Sequence, residues 1–279
     1  MTINCNGKLL SFDRPRVMGI LNITQYSFFD GGKYYNDPPK YLSRIENMLK
    51  DGADIIDIGC MATNPQSIEL TEEEELITME NALNNIVSRF PDVIFSIDTW
   101  RAAVARKAVE MGIAIINDIS GGEFDDAMFD VVAQRNVPYI LMHTSGRPAQ
   151  MQQKTHYNDV VKDVYLYLSK RLDVLRRMGV NDVIIDPGFG FGKTVEQNYE
   201  LLKQLSLFKE LGCPVLAGVS RKAMLYKLLE VSPEKALNAT TVVNTISLLN
   251  GADILRVHDV KEAAEAVKIV EMVQKKKAE

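Results

Sequence analysis

The chain has 279 residues, 46% hydrophobic and 25% charged, which excludes a disordered chain, a collagen and a disulfide-stapled mini-protein. A formal net charge of −5 and a pI near 5.4 argue against a nucleic-acid surface or a polybasic membrane anchor and favour a small-molecule partner. Cys5, Cys60 and Cys213 are odd in number and form no Cys-x-x-Cys pair, so a reducing, cytoplasmic setting without structural zinc is expected. Met1 to Leu10 lacks the apolar core of a signal peptide, and no later run reaches the ~20 apolar residues of a membrane span.

In chain order, Thr2 to Phe12 reads first, as a small hairpin with a polar turn at Asn6-Gly7, placed to plug the bottom of the fold. Eight runs rich in Val, Ile and Leu follow: Val17 to Leu21, Ile55 to Ile58, Val93 to Ile97, Ile113 to Ile116, Tyr139 to Met142, Val183 to Ile185, Val215 to Val219 and Ile254 to Val257. Each has the uncharged character of a buried parallel strand. Helical patterns separate them. Tyr41, Leu42, Ile45, Met48 and Leu49 recur at helical spacing before the stop signal Asp51-Gly52, and Thr71 with Glu74 forms a capping box. Further helices are predicted over Ala102 to Met111, Asp126 to Gln134, Val160 to Met178, Glu196 to Leu211, Ala239 to Asn250 and Val260 to Val273. Eight β/α units in about 250 residues, with no break in composition, predict one (β/α)8 TIM barrel rather than a doubly wound sheet.

A barrel of this kind carries its active site at the carboxyl ends of its strands. Those ends hold Asn22, Asp57, Asp98, Asn117 with Asp118, His143, Asp186, Ser220 with Arg221 and Lys222, and Arg256 with His258. One such residue alone reads best as a helix cap or turn. All eight ends being polar reads as a site. Asp57, alternating with Ile56 and Ile58, is the weakest member and fits a hydrogen bond inside the barrel mouth. Asp98, Asn117 and Asp186 suit a flat heterocycle with several N–H donors, because a carboxylate accepts two side by side. Lys222, Arg256 and His258 supply donors and positive charge for carbonyl or phosphate oxygens. An acceptor wall facing a cationic wall is therefore expected, as for a polar ring with an anionic tail.

Sharper motifs fail on spacing. Gly188 to Thr194 misses the P-loop because Pro187 stands at its first glycine, and misses Gly-x-Gly-x-x-Gly because Lys193 stands at its last, so a flexible loop is expected there. Gly218-Val219-Ser220 misses a nucleophile elbow because Lys222 replaces the closing glycine. His143, His156 and His258 have no metal-like spacing, and Lys275 to Lys277 reads as a solvated helix end.

Read with their neighbours, these strand ends resemble dihydropteroate synthase over essentially the whole chain. The match runs through Val17 to Thr24, Ser27 to Gly32, Ser96 to Thr99, Ile116 to Gly122, Leu141 to His143, Asp186 to Lys193, Gly218 to Lys222 and Arg256 to Asp259. The resemblance implies a single pterin-binding barrel over residues 1–279 that condenses a dihydropterin carrying a hydroxymethyl diphosphate with 4-aminobenzoate, releasing diphosphate in folate synthesis. It implies a transferase and sulfonamide target, acting as a homodimer. By resemblance Asp98, Asn117, Asp186 and Lys222 hold the pterin, with Met142 and Phe191 flanking its ring. Asn22 ligates the Mg2+ that binds the diphosphate, and Arg256, His258 and Thr63 hold the diphosphate oxygens. Asn22, Lys222, Arg256 and His258 carry the catalytic roles. Gly218 and Ser220 complete the substrate-binding set, and Ser220, expected at a helix amino terminus, suits the aminobenzoate carboxylate.

The departures cluster in two loops. The family's Pro-Asp is Gln25-Tyr26 here, and its Gly-Glu-Ser-Thr-Arg-Pro-Gly is Cys60 to Gln66, with Asn64 in place of a usual residue; Thr144 to Pro148 is also atypical. Three readings stay open: an active synthase whose loops use other contacts, such as Tyr26 stacking or Arg147 replacing a charge; a pterin enzyme with another acceptor; and a pterin-binding module without turnover.

Overall fold

Alternation along each apolar run sorts its side chains to two faces. The computed structural model describes residues 1–24, 32, 34–60 and 69–275. A hairpin, β1 (Thr2–Cys5) and β2 (Lys8–Ser11), precedes eight strands: β3 (Arg16–Asn22), β4 (Ile55–Gly59), β5 (Ile94–Asp98), β6 (Ile115–Asp118), β7 (Tyr139–Met142), β8 (Val183–Asp186), β9 (Leu216–Ala217) and β10 (Ile254–Val257). Their order is β8-β7-β6-β5-β4-β3-β10-β9, and the parallel bridge between Ile185 and Val215 joins the two edges. The result is the expected (β/α)8 barrel, with its thinnest seam at β8 and β9.

The helices are α1 (Pro38–Lys50), α2 (Glu72–Ile86), α3 (Ala102–Glu110), α4 (Met128–Arg135), α5 (Pro148–Met151), α6 (Val160–Arg177), α7 (Val195–Lys203), α8 (Ala223–Tyr226), α9 (Leu237–Leu249) and α10 (Val260–Gln274), with 3-10 turns at Leu205–Leu211 and Pro233–Lys235. The capping box at Thr71 and Glu74 starts α2. The helix expected over Glu196 to Leu211 instead breaks at Gln204. Beyond it Leu205, Phe208 and Leu211 are buried three residues apart, a period that matches a 3-10 turn rather than an α-helix.

Outward-facing residues such as Ile56, Ile58, Ile97, Ile116, Leu141, Ile185 and Leu255 pack against the helices. Met18, Ile55, Ile115, Ile140, Ile184, Leu216 and Ile254 form a second apolar cluster, into which the hairpin sends Ile3, Cys5 and Leu10. Asn6 and Gly7, at φ 53° and 84°, have the paired positive φ of a tight hairpin turn. Two residues further along the strands, the inward positions turn polar: Asp57, Ser96, Asn117, Asp186 and Arg256. A dry floor thus carries a charged mouth.

Candidate active site

Strand register aligns the rim. Asn22 pairs with Gly59, Gly59 with Asp98, and Asp98 with Asn117 across four neighbouring strands. Gly59 is glycine for a reason of space, since a Cβ there would lie 2.9 Å from Asn22 Oδ1 and 3.9 Å from Asp98 Oδ2. Half of the barrel rim therefore sets an amide oxygen, a carboxylate and a second amide at one level. Asp98 is buried, and its Oδ1 has no hydrogen-bond partner among the described residues. Such an atom costs stability until a donor reaches it.

The charges interleave instead of forming two facing walls. Arg256 Nε donates to Asp57 Oδ2 at 2.6 Å and its Nη2 to Asp98 Oδ2 at 2.5 Å. Asn117 Nδ2 also donates to Asp57 Oδ2, at 2.9 Å, and Ser96 Oγ donates to Asp57 Oδ1. Asp57, set lowest on sequence grounds, is thus the fully buried junction of the mouth. Burial raises Asp98 to about 7 despite the pull of Arg256, and burial likewise raises Asp186. Burial lowers Lys222 to about 8, against the attraction of Asp186. His258 differs from the expectation of a positive charge. Burial first and Arg256 next push its imidazole down to about 3, so it is a neutral hydrogen-bonding group at pH 7.

Ser220 also departs from its expected setting. The helix after β9 begins at Ala223 with Lys222 as its N-cap, and it has four residues. The Ser220 hydroxyl is instead bonded to His258, at 3.0 Å from Nδ1 and accepting from the backbone N–H at 3.2 Å. A Cβ at Gly218 would lie 3.8 Å from Lys222 Nζ and 4.0 Å from Asp186 Oδ2, which puts this backbone in contact range of that pair.

The segment from Asp186 to Lys193 is not the flexible loop expected from its glycines. Lys193 Nζ is buried and donates to Gly188 O at 2.8 Å and Phe191 O at 3.1 Å, and lies 3.0 Å from His143 Nδ1. Gln152 Nε2 donates to Gly190 O at 2.9 Å, Gly190 N donates to Asn198 Oδ1 at 2.7 Å, and Tyr157 OH donates to Gly192 O at 3.0 Å. Gly188 has φ 72°, and a Cβ on it would meet His143 O at 1.9 Å, so only glycine fits. Lys222 Nζ reaches Phe189 O and lies 4.5 Å from the centre of the Phe191 ring.

Met142 and Phe191, the two expected ring-flanking residues, share one small cluster with Trp100, Ile119 and Phe124. Trp100 meets Phe124 edge-on at 5.9 Å, and the Arg147 guanidinium covers Phe124 at 4.7 Å while approaching Glu69 at 3.6 Å. The sequence reading gives Trp100, Phe124 and Lys193 no role in the site. The available signal was a lone tryptophan two residues beyond Asp98. Asp118, by contrast, faces away from the mouth and accepts from Tyr139 OH and the backbone of Ser120 and Gly122, a purely architectural role. Thr63, Gln25, Tyr26 and Asn64 lie outside the described residues.

For a metal, the rim offers the Asn22 amide oxygen, and no group of three His, Cys, Asp or Glu residues that could hold an ion occurs among the described residues. One neutral oxygen would suit a Mg2+ whose remaining ligands came from a phosphate compound and water.

A barrel with a charge-interleaved mouth defines a class, and a family model described as pterin binding enzyme matches residues 18–258. The chain belongs to this family. Its relatives there are dihydropteroate synthases: the Synechocystis protein is 41% identical over 264 residues, covering 92% of this chain and 90% of that one, and the Escherichia coli K12 protein is 38% identical over 273 residues, covering 97% and 96%. Among solved structures, the Yersinia pestis dihydropteroate synthase with a sulfonamide drug complex superposes with a TM-score of 0.93 at 38% identity, covering 98% of this chain and 99% of that one. The Xanthomonas albilineans dihydropteroate synthase with 4-aminobenzoic acid gives 0.89 at 34%, covering 98% of each.

Proposed function

We propose that this chain is a transferase of folate synthesis that condenses 6-hydroxymethyl-7,8-dihydropterin diphosphate with 4-aminobenzoate to give dihydropteroate and diphosphate. The observation that carries this reading is the buried Oδ1 of Asp98, which has no hydrogen-bond partner among the described residues and is set on the rim between Asn22 and Asn117. A pterin edge supplies the N–H donors that such an acceptor needs. Asp186 and Lys222 serve the same ring, and Met142 and Phe191 its faces.

In the reaction the C–O bond to diphosphate breaks and the electron pair leaves with it. The arylamine forms the new C–N bond and gives its proton to solvent. Arg256, pre-placed at the mouth, is bound more strongly by the growing negative charge than by the ground state, and removing one such group commonly costs about 100-fold or more. His258 contributes a hydrogen bond rather than a charge. Asp98 and Asp186 lie beside the ring that spreads the positive charge left behind, and the amine needs chiefly to be positioned. Asn22 would hold a Mg2+ whose charge would offset that of the diphosphate. We place the aminobenzoate on the Gly218 and Ser220 side, next to the Lys222 amine.

The same reading includes a homodimer. Val242, Ile246 and Leu249 on α9 and Ile269, Met272 and Val273 on α10 recur at helical spacing, are exposed, and lie on helices that pack together. A second copy of this chain suits such an apolar face. The three cysteines are free and buried, which fits a reducing, cytoplasmic setting, and no described helix is long and apolar enough to cross a membrane.

The decisive experiment mixes purified protein with Mg2+, the pterin diphosphate and labelled 4-aminobenzoate and follows both products. Multiple turnovers giving equal diphosphate and dihydropteroate are expected. Diphosphate without dihydropteroate would sink the acceptor assignment, and tight pterin binding with neither product would leave a binding module.

A further inference from the structure

We propose that Asp57 is a positioning residue that hinges Arg256, and that the Arg256–Asp98 contact is a latch which a bound pterin opens, so that the guanidinium engages diphosphate only when a ring is in place. The inference rests on the ring and tail assignments above.

Asp57 has no exposure to solvent, and three donors converge on it: Ser96 Oγ, Asn117 Nδ2 and Arg256 Nε. It is therefore fixed and committed to neighbours, two of which are assigned to the substrate. Arg256 is held at two points of its planar fork, Nε on Asp57 and Nη2 on Asp98. Pinned at Nε, the fork pivots and re-aims its Nη groups without leaving the barrel. Asp98 in turn gives one oxygen to Arg256, and its other oxygen has no partner among the described residues. A heterocycle edge with two parallel N–H donors needs both oxygens in its plane, and the guanidinium occupies one of them. Arg256 Nη2 already sits 2.5 Å from that oxygen, so a ring donor that takes the same in-plane position displaces it. Once displaced, Nη2 is a buried cationic donor in need of an acceptor, and the diphosphate on the same ligand supplies it.

Without a ring, Arg256 is already neutralised by two carboxylates, and a phosphate compound must break an ion pair to reach it. With a ring, Asp98 has new donors and the pair is open. Ring and tail affinities are then coupled, and by linkage the coupling is reciprocal. A pocket built this way discriminates against other diphosphates, which carry the tail but not the ring.

The test titrates inorganic diphosphate with Mg2+ into the protein by calorimetry, with and without saturating 6-methylpterin, which lacks the tail and the bridging oxygen. Pterin is expected to tighten diphosphate binding by about tenfold. Arg256→Lys keeps the charge but cannot bridge two carboxylates, so diphosphate should bind with a coupling factor near one. Asp57→Asn, checked for folding by circular dichroism, should weaken diphosphate binding and abolish the coupling. Pterin that binds wild-type protein without changing its diphosphate affinity, or full coupling in Arg256→Lys, would overturn the latch alone. Pterin that does not bind would overturn the ring assignment and the latch with it.

Discussion

At the scale of single residues, two shifted groups bracket neutrality. Asp98 is raised to about 7 and Lys222 lowered to about 8, in both cases chiefly by burial. Asp98 must be ionised to accept ring donors, so pterin affinity should rise as pH climbs through about 7. Lys222 must be charged to donate with full strength, so affinity should fall above about 8. Each flank should approach tenfold per pH unit, giving a bell with a narrow top. Trp100 is the chain's only tryptophan and packs in the cluster that holds Met142 and Phe191, so its fluorescence reports ring binding directly. A flat affinity between about pH 5 and 9 would mean that neither group serves the ring. The residue types at the mouth were legible in the sequence because they follow apolar runs. Their pairing was not. That Arg256 spans Asp57 and Asp98 depends on strands far apart in the chain, and no local pattern encodes which carboxylate a guanidinium will choose.

At the scale of elements, period and punctuation carried most of the fold. Strands β3 to β10 follow from short uncharged apolar runs, and the capping box of α2 from local hydrogen bonding. The segment from Asp186 to Lys193 did not, because its shape is imposed by Lys193, Gln152, Tyr157 and Asn198 rather than by its own glycines. Glycine content alone suggested freedom, and tertiary contacts removed it. The short α8 was hidden for a related reason: four residues are too few to show a period. The outer face of α9 and α10 is legible once both helices are placed. Ile269 is 63% exposed, Met272 67% and Val273 71%, high for large apolar groups on adjacent turns. Replacing Ile246 and Ile269 together by Glu should convert a dimer to a monomer by light scattering. Because both side chains already face solvent in the single chain, the monomer's own stability should change by no more than about 0.5 kcal/mol each. A dimer mass unchanged by the double substitution would show that the two copies meet through another face.

At the scale of the whole molecule, the two ends of the barrel divide the labour. A net charge of −5 does not enclose a purely cationic pocket; Asp57, Asp98 and Asp186 alternate with Arg256 and Lys222, so the mouth is close to balanced before any ligand arrives. The opposite end is built on an apolar cluster. There Ile3, Cys5 and Leu10 of the hairpin seal the cluster of Met18, Ile55, Ile140, Ile184, Leu216 and Ile254, and burial pushes the Cys5 thiol up to about 12. Conservation of effort predicts separability: Ile3→Ala and Leu10→Ala should each cost about 2–4 kcal/mol, because the floor beneath them is rigid β-structure that collapses poorly into a cavity. In a chain of this size each kcal/mol lowers Tm by roughly 2–4 °C. Pterin affinity should stay within about twofold of wild type, since the mouth is held by its own register and by the Asp57 junction. A parallel loss of affinity and Tm would show instead that the hairpin props the strands from below, and that floor and mouth form one cooperative unit.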